Sequence, residues 1–566
     1  MFEYYDKNKM LVPIKIWTES IDDIEESCLE QAINLANLPF AHDHIALMPD
    51  THTGKGMPIG GVIACKNTVI PNAVGVDIGC GMAFVQTDIS VNILRDTVTG
   101  SGELIKVIVG NILRTIPVGF SHYGKPQTSA VLDKAQSEIE RYNADSELLK
   151  FIEQGYYSVG SLGGGNHFIE IQEDENGMAC IMLHSGSRMF GNMIGQYFNK
   201  IAHEMNDKYF STVPSEYNLP FLPVDTDEGQ RYLNWMNLAM DFAFENREVM
   251  LEKVKHIFTE QVEKYTGITP NYSDEINCHH NYAALENHYG ENVWVHRKGA
   301  IHAAEGEVAI IPGSMGSNSY IVRGMGKAES FLTSSHGAGR NYSRTGAKEK
   351  FSVESVMVDL RQRNVVLGKT SKKDVAEECR FAYKDIDVVM KNQSDLTTPI
   401  KKLFTVGVVK GYEVIYMKLA TALAERSDIQ NRINTISVRL DNNAKVQEGD
   451  VPAEDPKALM EELDRLIVRL EDLVARINLT NSGTVYEGKT ITELLAHRDC
   501  LKKKVRVLRD FLNTASDRVT RMTRTEIKIV STVPVTEIQK TVDGLAKELR
   551  NVDEKIQELN WTTELV

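Results

Sequence analysis

The chain has little of what marks secreted or membrane proteins. It carries only seven cysteines in 566 residues, an odd number at scattered spacings. That argues against a disulfide framework and for a reducing, cytoplasmic location. No apolar run approaches the length of a membrane span, and the opening MFEYYDKNKM has no apolar core of a signal peptide. A membrane partner is therefore not expected. Positive charge is also in deficit, with a formal net charge of -15. This disfavours non-specific nucleic-acid binding over the whole surface, while leaving room for a local basic cleft such as the Arg- and Lys-rich segment 323–350.

The sharpest deficit is regional. Of 40 glycines only Gly449, Gly483, Gly488 and Gly544 lie beyond residue 411. Before that break, short β-branched runs alternate with Gly-rich turns and helical stretches, a mixed α+β pattern. The longest helical stretch runs from about Arg231 to Tyr265, and strands are expected over Phe168–Ile171 and Ala179–Leu183. After the break, leucine and isoleucine recur at alternating spacings of three and four. Leu459, Leu463, Leu466, Leu470, Leu473 and Ile477 form one seam, and Ile538, Val542, Leu545, Leu549, Val552, Ile556 and Leu559 another. Weaker seams cover Ile429–Leu440 and Leu494–Leu508. The expected architecture is thus an α+β domain, residues 1–411, followed by an all-α coiled-coil or helical-bundle domain, residues 412–566. The prolines and acids of Gln447–Pro456 read as a loop between helices. The tail is nearly charge-balanced, so most of the negative charge belongs to the first domain.

The chemistry-bearing stretches all precede the break. In Ser334-Ser335-His336-Gly337-Ala338-Gly339-Arg340 an imidazole is followed by three residues with almost no side chain, then by a guanidinium. Glycines let backbone N–H groups approach a phosphate, and arginine presents a fork matched to phosphate oxygens. The stretch reads as a nucleophilic histidine beside a nucleotide, or else as a Gly-rich turn with a solvent-facing His. Met48-Pro49-Asp50-Thr51-His52-Thr53-Gly54-Lys55-Gly56 puts an acid, an imidazole and an amine on a glycine-rich loop. In Val76-Asp77-Ile78-Gly79-Cys80-Gly81 a carboxylate and a thiol stand three residues apart, suited to Mn, Zn or Fe, although a buried free cysteine is the commoner arrangement. Gly163-Gly164-Gly165-Asn166-His167-Phe168-Ile169-Glu170 makes an N–H nest ending in Asn-His. Leu183-His184-Ser185-Gly186-Ser187-Arg188 and Cys278-His279-His280-Asn281 add further imidazoles. Asp77, Cys80, His167, His184 and His280 together offer enough N, O and S donors for two metal ions, with a thiolate bridge as the natural shared ligand. Ile311-Pro312-Gly313-Ser314-Met315-Gly316 is a loop able to hydrogen-bond a base or phosphate.

Gly483-Thr-Val-Tyr-Glu-Gly488-Lys489-Thr490 matches the P-loop pattern. A leucine seam precedes it rather than a buried parallel strand, so it reads as a chance match in an inter-helix loop. The chain nowhere contains Lys-x-Asp-Gly, which removes a lysine-adenylating ligase.

The strings MPDTHTGKG, VDIGCGM, GNHFIE, LHSGSR, CHHN, IPGSMG, SSHGAGR and AYKDID, in this order over residues 1–411, closely resemble the RtcB family of RNA ligases. The resemblance implies a GTP- and Mn(II)-dependent enzyme that joins an RNA 3′-phosphate or 2′,3′-cyclic phosphate to a 5′-hydroxyl through a guanylylated His336. It implies that Asp77, Cys80, His167, His184 and His280 hold two Mn(II) ions. Asn166, Glu170, Ser314, Ala338, Tyr383 and Lys410 match positions that contact GMP, with Glu170 suited to guanine N1–H and its exocyclic amine. Asp50, Arg188 and Arg340 match positions tied to RNA-end chemistry. RNA ends are the expected partner, with an activating protein as a possible second. The competing readings are an enzyme that caps 3′-phosphates with GMP without sealing them, and a non-catalytic protein that holds RNA ends. The tail, through Asn442–Gly449, Glu526–Val533 and Asn560-Trp561-Thr-Thr, resembles small all-helical proteins called septicolysin-like, and suggests self-association or partner binding.

Overall fold

The computed structural model describes residues 1–119, 121–368, 375–411, 418–445, 454–486, 488–516 and 530–563, with 447, 452 and 565. Parts of the loop 447–456 and of the strings 442–449 and 526–533 lie outside the described residues, as does Glu487. The chain divides into two compact units, Met1–Val414 and Ile415–Val566.

The first unit is built on two sheets. The smaller has six strands, in the order Phe2–Tyr4, Ile14–Ile16, Ala41–His52, Ile59–Cys65, Glu291–Lys298 and Asn281–His288. The larger has eight. Its path runs Tyr272–His279, Gly81–Ser90, Met178–Ser185, Phe168–Asp174, Thr397–Lys410, Asn318–Gly324 and Val308–Ile311, with Val366–Gly368 paired in parallel beside Thr397–Lys410.

Alternation along the strands explains how the larger sheet is covered on both faces. Ala83, Val85, Ile169, Ile171, Ile181 and Leu183 point to one core, which is closed by helices Leu104–Thr115 and Asp227–Thr266. Their neighbours Met82, Phe84, Phe168, Cys180 and Met182 point to the opposite core, under helices Arg344–Lys350 and Val353–Gln362. Phe168 and Glu170 therefore share the second face.

The 40-residue helix Asp227–Thr266 covers the expected long stretch. The Thr226 hydroxyl accepts the Gly229 N–H at its start, and Gly267 ends it with φ +74. Its first half packs through Tyr232, Trp235, Ala239 and Phe242 into a core with Phe190 and Phe198, and its second half through Met250, Val254 and Phe258 into the sheet core. Between them Asn246 and Arg247 are fully buried.

The described residues of the second unit form four helices, Leu419–Asn443, Pro456–Gly483, Ile491–Ser516 and Val535–Thr562. The first pairs with the second and with the fourth, and the third pairs with both the second and the fourth, which closes a bundle. The leucine seams face inward: Leu459, Leu466, Leu473, Ile477, Val542, Ile556 and Leu559 are buried. The P-loop look-alike spans a helix end and a two-stranded hairpin, Val485–Tyr486 against Lys489–Thr490, so it lacks the parallel sheet its chemistry requires. No described helix is long and apolar enough to cross a membrane.

Truncating Leu473 to Ala should destabilise the helical unit by about 2–5 kcal/mol. Leu479→Ala, at an exposed position, should change it by less than about 0.5 kcal/mol. Urea unfolding of the full chain followed by far-ultraviolet circular dichroism checks both; equal effects would refute the inward seam.

Candidate metal and nucleotide site

Strand register gathers one end of the larger sheet. His279 lies opposite Gly81, His184 opposite both Met82 and Phe168, and Lys410 opposite Phe168. Cys80, just before Gly81, and His167, just before Phe168, therefore arrive at the same edge. His280 occupies the single step between strand Tyr272–His279 of the larger sheet and strand Asn281–His288 of the smaller, and its N–H donates to the Cys80 carbonyl at 2.8 Å.

All five expected metal donors meet there. Cys80 Sγ is 3.2 Å from His167 Nε2 and 3.3 Å from His184 Nε2. His184 Nε2 is 3.2 Å from His280 Nε2, and His167 Nε2 is 3.1 Å from Asp77 Oδ2. The donor atoms of Cys80, His167 and His184 all lie within 4.8 Å of one another. Burial holds His184 and His280 well below the usual imidazole range, so both are neutral, with lone pairs available. Burial raises the Asp77 carboxyl, but its hydrogen bond to His167 and the charges of His167 and Arg188 outweigh this and hold it below the usual range. Burial, then the Asp77 charge, pushes the Cys80 thiol well above its ordinary value. Lone pairs converging without enough protons to share fit a divalent cation, which would also displace the thiol proton.

His336 lies beside this cluster, its ring 4.7 Å centroid to centroid from His280. The buried Asp50 carboxylate fixes its orientation: Oδ2 lies 2.8 Å from His336 Nδ1 and accepts the backbone N–H groups of His336 and Gly337, each at 3.2 Å. With Nδ1–H directed at Asp50 as the donor, Nε2 is the ring's remaining nitrogen and carries a lone pair in that neutral tautomer. Gly339, at φ +73, permits the approach, since a Cβ there would sit 2.2 Å from the Asp50 carbonyl oxygen.

The remaining expected residues line the adjoining face. Glu170 is buried and accepts from Gln172 Nε2 at 2.7 Å and Thr405 Oγ1 at 3.2 Å. Burial pushes its carboxyl up to about 7, against the opposing pull of Gln172 and Lys410. Thr405 Oγ1 lies equally 3.2 Å from the Ser317 carbonyl, an alternative acceptor for its one proton, and the Ser317 hydroxyl meets Ser314, which ties the Ser314 loop to Glu170. Asn166 is half-buried before His167, and Ala338 is buried beside Tyr320 and Ile386.

Lys410, Tyr383 and Arg340 converge on Glu378. Lys410 Nζ donates to it at 3.0 Å, the Tyr383 hydroxyl at 2.6 Å and Arg340 Nη1 at 3.1 Å. Burial raises the Glu378 carboxyl, but Lys410 and Arg340 more than reverse this and bring it down to about 2. Arg340, expected to face phosphate oxygens, thus directs its fork at Glu378, Tyr383 and the Glu377 carbonyl. A buried carboxylate needs those donors. Arg188, at φ 56, donates to Ser161 Oγ at 3.1 Å and to the Gly119 carbonyl.

Residues 31–411 match the family described as tRNA-splicing ligase RtcB. The chain belongs to the RtcB family. Similar proteins include the RNA-splicing ligase RtcB of Escherichia coli (strain K12), 40% identical across 70% of this chain and 97% of that protein. The tRNA-splicing ligase RtcB of Nanoarchaeum equitans is 31% identical across 73% and 98%. The RNA-splicing ligase RtcB of Mycobacterium tuberculosis is 29% identical across 67% and 100%. Residues 426–565 match a family of unknown function, DUF6847, which brings no activity to the tail. A crystal structure of a functionally unknown conserved protein from Corynebacterium diphtheriae is 46% identical over 26% of this chain and 99% of that one, at a TM-score of 0.25.

Several residues that support this cluster belong to none of the sequence motifs. Asn246 Oδ1 accepts from the N–H groups of Gly160 and Ser161, and its amide donates to the Gly186 carbonyl at 2.9 Å. Arg247 Nη1 donates to the carbonyls of Gly79 at 2.8 Å and Ser185 at 3.0 Å. These two side chains brace the loops carrying Asp77, Cys80, His167 and His184. The available signal was an Asn on the helical stripe Ala239, Ala243, Asn246, Met250, Val254, where an apolar residue was due. Gln393 is fully buried and accepts from the Ser334 hydroxyl and from the N–H and hydroxyl of Ser335, fixing the strand before His336.

A Cβ at Gly186 would lie 2.2 Å from Asp77 Oδ1. Gly186→Ala should therefore displace that carboxylate and weaken divalent-cation binding at the cluster roughly 10–100-fold. Isothermal titration measures this; unchanged affinity would remove Asp77 from the ligand set.

Proposed function

We propose that this chain is an RNA ligase that uses GTP and Mn(II) to join an RNA 3′-phosphate, or a 2′,3′-cyclic phosphate after its hydrolysis, to a 5′-hydroxyl. The reading rests on membership of the RtcB family and on the names its relatives carry. The single observation that carries it is the Asp50-held His336 ring, 4.7 Å from His280 of the donor cluster. A merely structural histidine has no need of an oriented lone pair beside five converging ligands.

In this scheme His336 Nε2 attacks the α-phosphorus of GTP. The N–P bond forms as pyrophosphate leaves, and Asp50 stabilises the ring while its Nδ1 proton stays in place. An oxygen of the RNA 3′-phosphate then attacks the same phosphorus and releases His336. Finally the 5′-hydroxyl oxygen attacks the RNA phosphate, with loss of its proton and departure of GMP. Asp77, Cys80, His167, His184 and His280 would hold the Mn(II) ions, which supply neutralisation of phosphate charge and activation of water. The side chain of His336 is 13% exposed, within reach of a triphosphate.

Glu170 is assigned to guanine, its carboxylate accepting N1–H and the exocyclic amine, with Lys410 as the charged neighbour on the adjacent strand. Asn166, Ser314, Ala338 and Tyr383 complete the assigned GMP contacts. Arg188 is assigned to the RNA ends, and Arg340 to the same end chemistry through its hold on Tyr383 and Glu378.

Incubation with labelled GTP and Mn(II) should yield an acid-labile phosphoramidate that is absent from His336→Ala; a label surviving that substitution would move the nucleophile elsewhere. A second outcome concerns pH. The Glu170 carboxyl sits near 7, so its acceptor form is lost as pH falls through that value. GTP affinity should drop by up to roughly tenfold per unit below about pH 7. Glu170→Gln should bind more weakly at pH 8 and show a flattened profile, as nucleotide titrations at several pH values would reveal.

A further inference from the structure

One surface feature beside the site plays no part in the chemistry so far. Arg380, Phe381, Phe351, Tyr342 and Lys350 form an unbroken stack. The Arg380 guanidinium lies 4.3 Å over the Phe381 ring, and Phe381 is 5.8 Å from Phe351 at an interplanar angle of 34°. Phe351 meets Tyr342 edge-on at 5.6 Å, and Lys350 Nζ lies 4.2 Å from the Tyr342 ring centroid while donating to the Tyr342 hydroxyl. Packing accounts for part of this, because Phe351 and Tyr342 are partly buried against the sheet core. It does not account for Phe381, which is 37% exposed, or for Lys350, which is exposed.

The stack is joined directly to the nucleotide side of the site. The N–H groups of Asn341 and Tyr342 donate to the Ala382 carbonyl, Arg340 Nε donates to the Tyr342 carbonyl, and Ala382 immediately precedes Tyr383. Asp359 grips the edge of Arg380, with Oδ1 and Oδ2 each accepting at 3.0 Å, and so sets the guanidinium plane that covers Phe381. The Arg380 side chain is 32% exposed, so its guanidinium plane, backed by Phe381 and held at its edge by Asp359, offers a flat surface, and Lys350 at the other end offers positive charge. In a chain of net charge -15, that combination suits unpaired bases linked by phosphates.

We propose that this stack is a docking platform for single-stranded RNA leading to the reacting end, with a base resting on the Arg380 guanidinium that Phe381 supports and Lys350 contacting the backbone. This rests on the RNA-ligase reading, and the experiment separates the two. His336 guanylylation by GTP and Mn(II) is measured without RNA, and the KM for an unstructured oligonucleotide with a 3′-phosphate is measured in ligation, in the intact protein and in Phe381→Ala and Lys350→Ala. The platform requires unchanged guanylylation and a KM raised roughly 5–100-fold in Phe381→Ala. It also requires binding of the oligonucleotide by Lys350→Ala to lose about 0.7 from its slope in log salt. An intact protein that ligates, with both variants at unchanged KM, overturns the platform. An intact protein that takes no guanylate overturns the function reading itself. Weakened ligation that follows the loss of an acidic protein partner, with oligonucleotide affinity unaltered, would assign the stack to protein binding and overturn the RNA platform.

Discussion

Five side chains that offer lone pairs are forced together at one buried sheet edge, and the rest of the first unit has to hold them there. His167, Cys80, His184 and His280 lie in succession at separations of 3.2–3.3 Å, closer than neutral imidazoles and a thiol would choose without shared protons or a cation. Register supplies the restraint along the sheet, because Gly81 faces both His279 and Ser185 across two adjacent strands. Asn246 and Arg247 supply it as well, since their donors and acceptors tie the loop backbone that carries Asp77, Cys80, His167 and His184. A long helix with a polar midpoint is costly in an apolar core unless every group is matched. Here the match is to the site itself.

Charge is distributed differently on the two sides of that edge. Around His336 a single carboxylate, Asp50, gathers three N–H groups and directs the ring. Around Lys410 a second carboxylate, Glu378, gathers an ammonium, a guanidinium and a phenol. The first arrangement fixes one imidazole through its Nδ1, and the second holds one carboxylate among two cations and a phenol. On the proposed ligase reading, a nucleotide would find both groups already oriented. Preorganisation of this kind spares the reorganisation that loose side chains would need.

What the sequence made legible follows from which signals are local. Short apolar runs marked the strands at Phe168 and Ala179, and three-four spacing of leucine and isoleucine marked both tail seams, because each depends only on neighbours in the chain. The donors were legible as types, since Asp, Cys and His beside glycines are unusual company. Their partnerships were not. Asp50 and His336 are 286 residues apart in sequence, and nothing in MPDTHTGKG says which of its polar groups will turn toward which histidine. The same holds for Glu378, which lies between short helical turns with no motif of its own, and for Arg340, whose direction is set by that buried acid. Residue type can be read one position at a time; direction depends on burial, and burial is a property of the whole fold.

The tail follows a separate logic. Its helices bury Leu419, Ile429, Ile436, Leu473, Ile477, Ile491 and Ile556 in a core of their own, so the bundle closes without drawing on the first unit's cores. Its scarcity of glycine is the counterpart of that self-sufficiency. A bundle needs few backbone turns and gains from residues that keep helical segments stiff, whereas the site in the first unit needs glycine wherever a backbone must pass within van der Waals distance of Asp77 or Asp50. The composition break near residue 411 thus separates two uses of the backbone: in one unit the chain bends close around reactive side chains, and in the other it only has to run straight and pack.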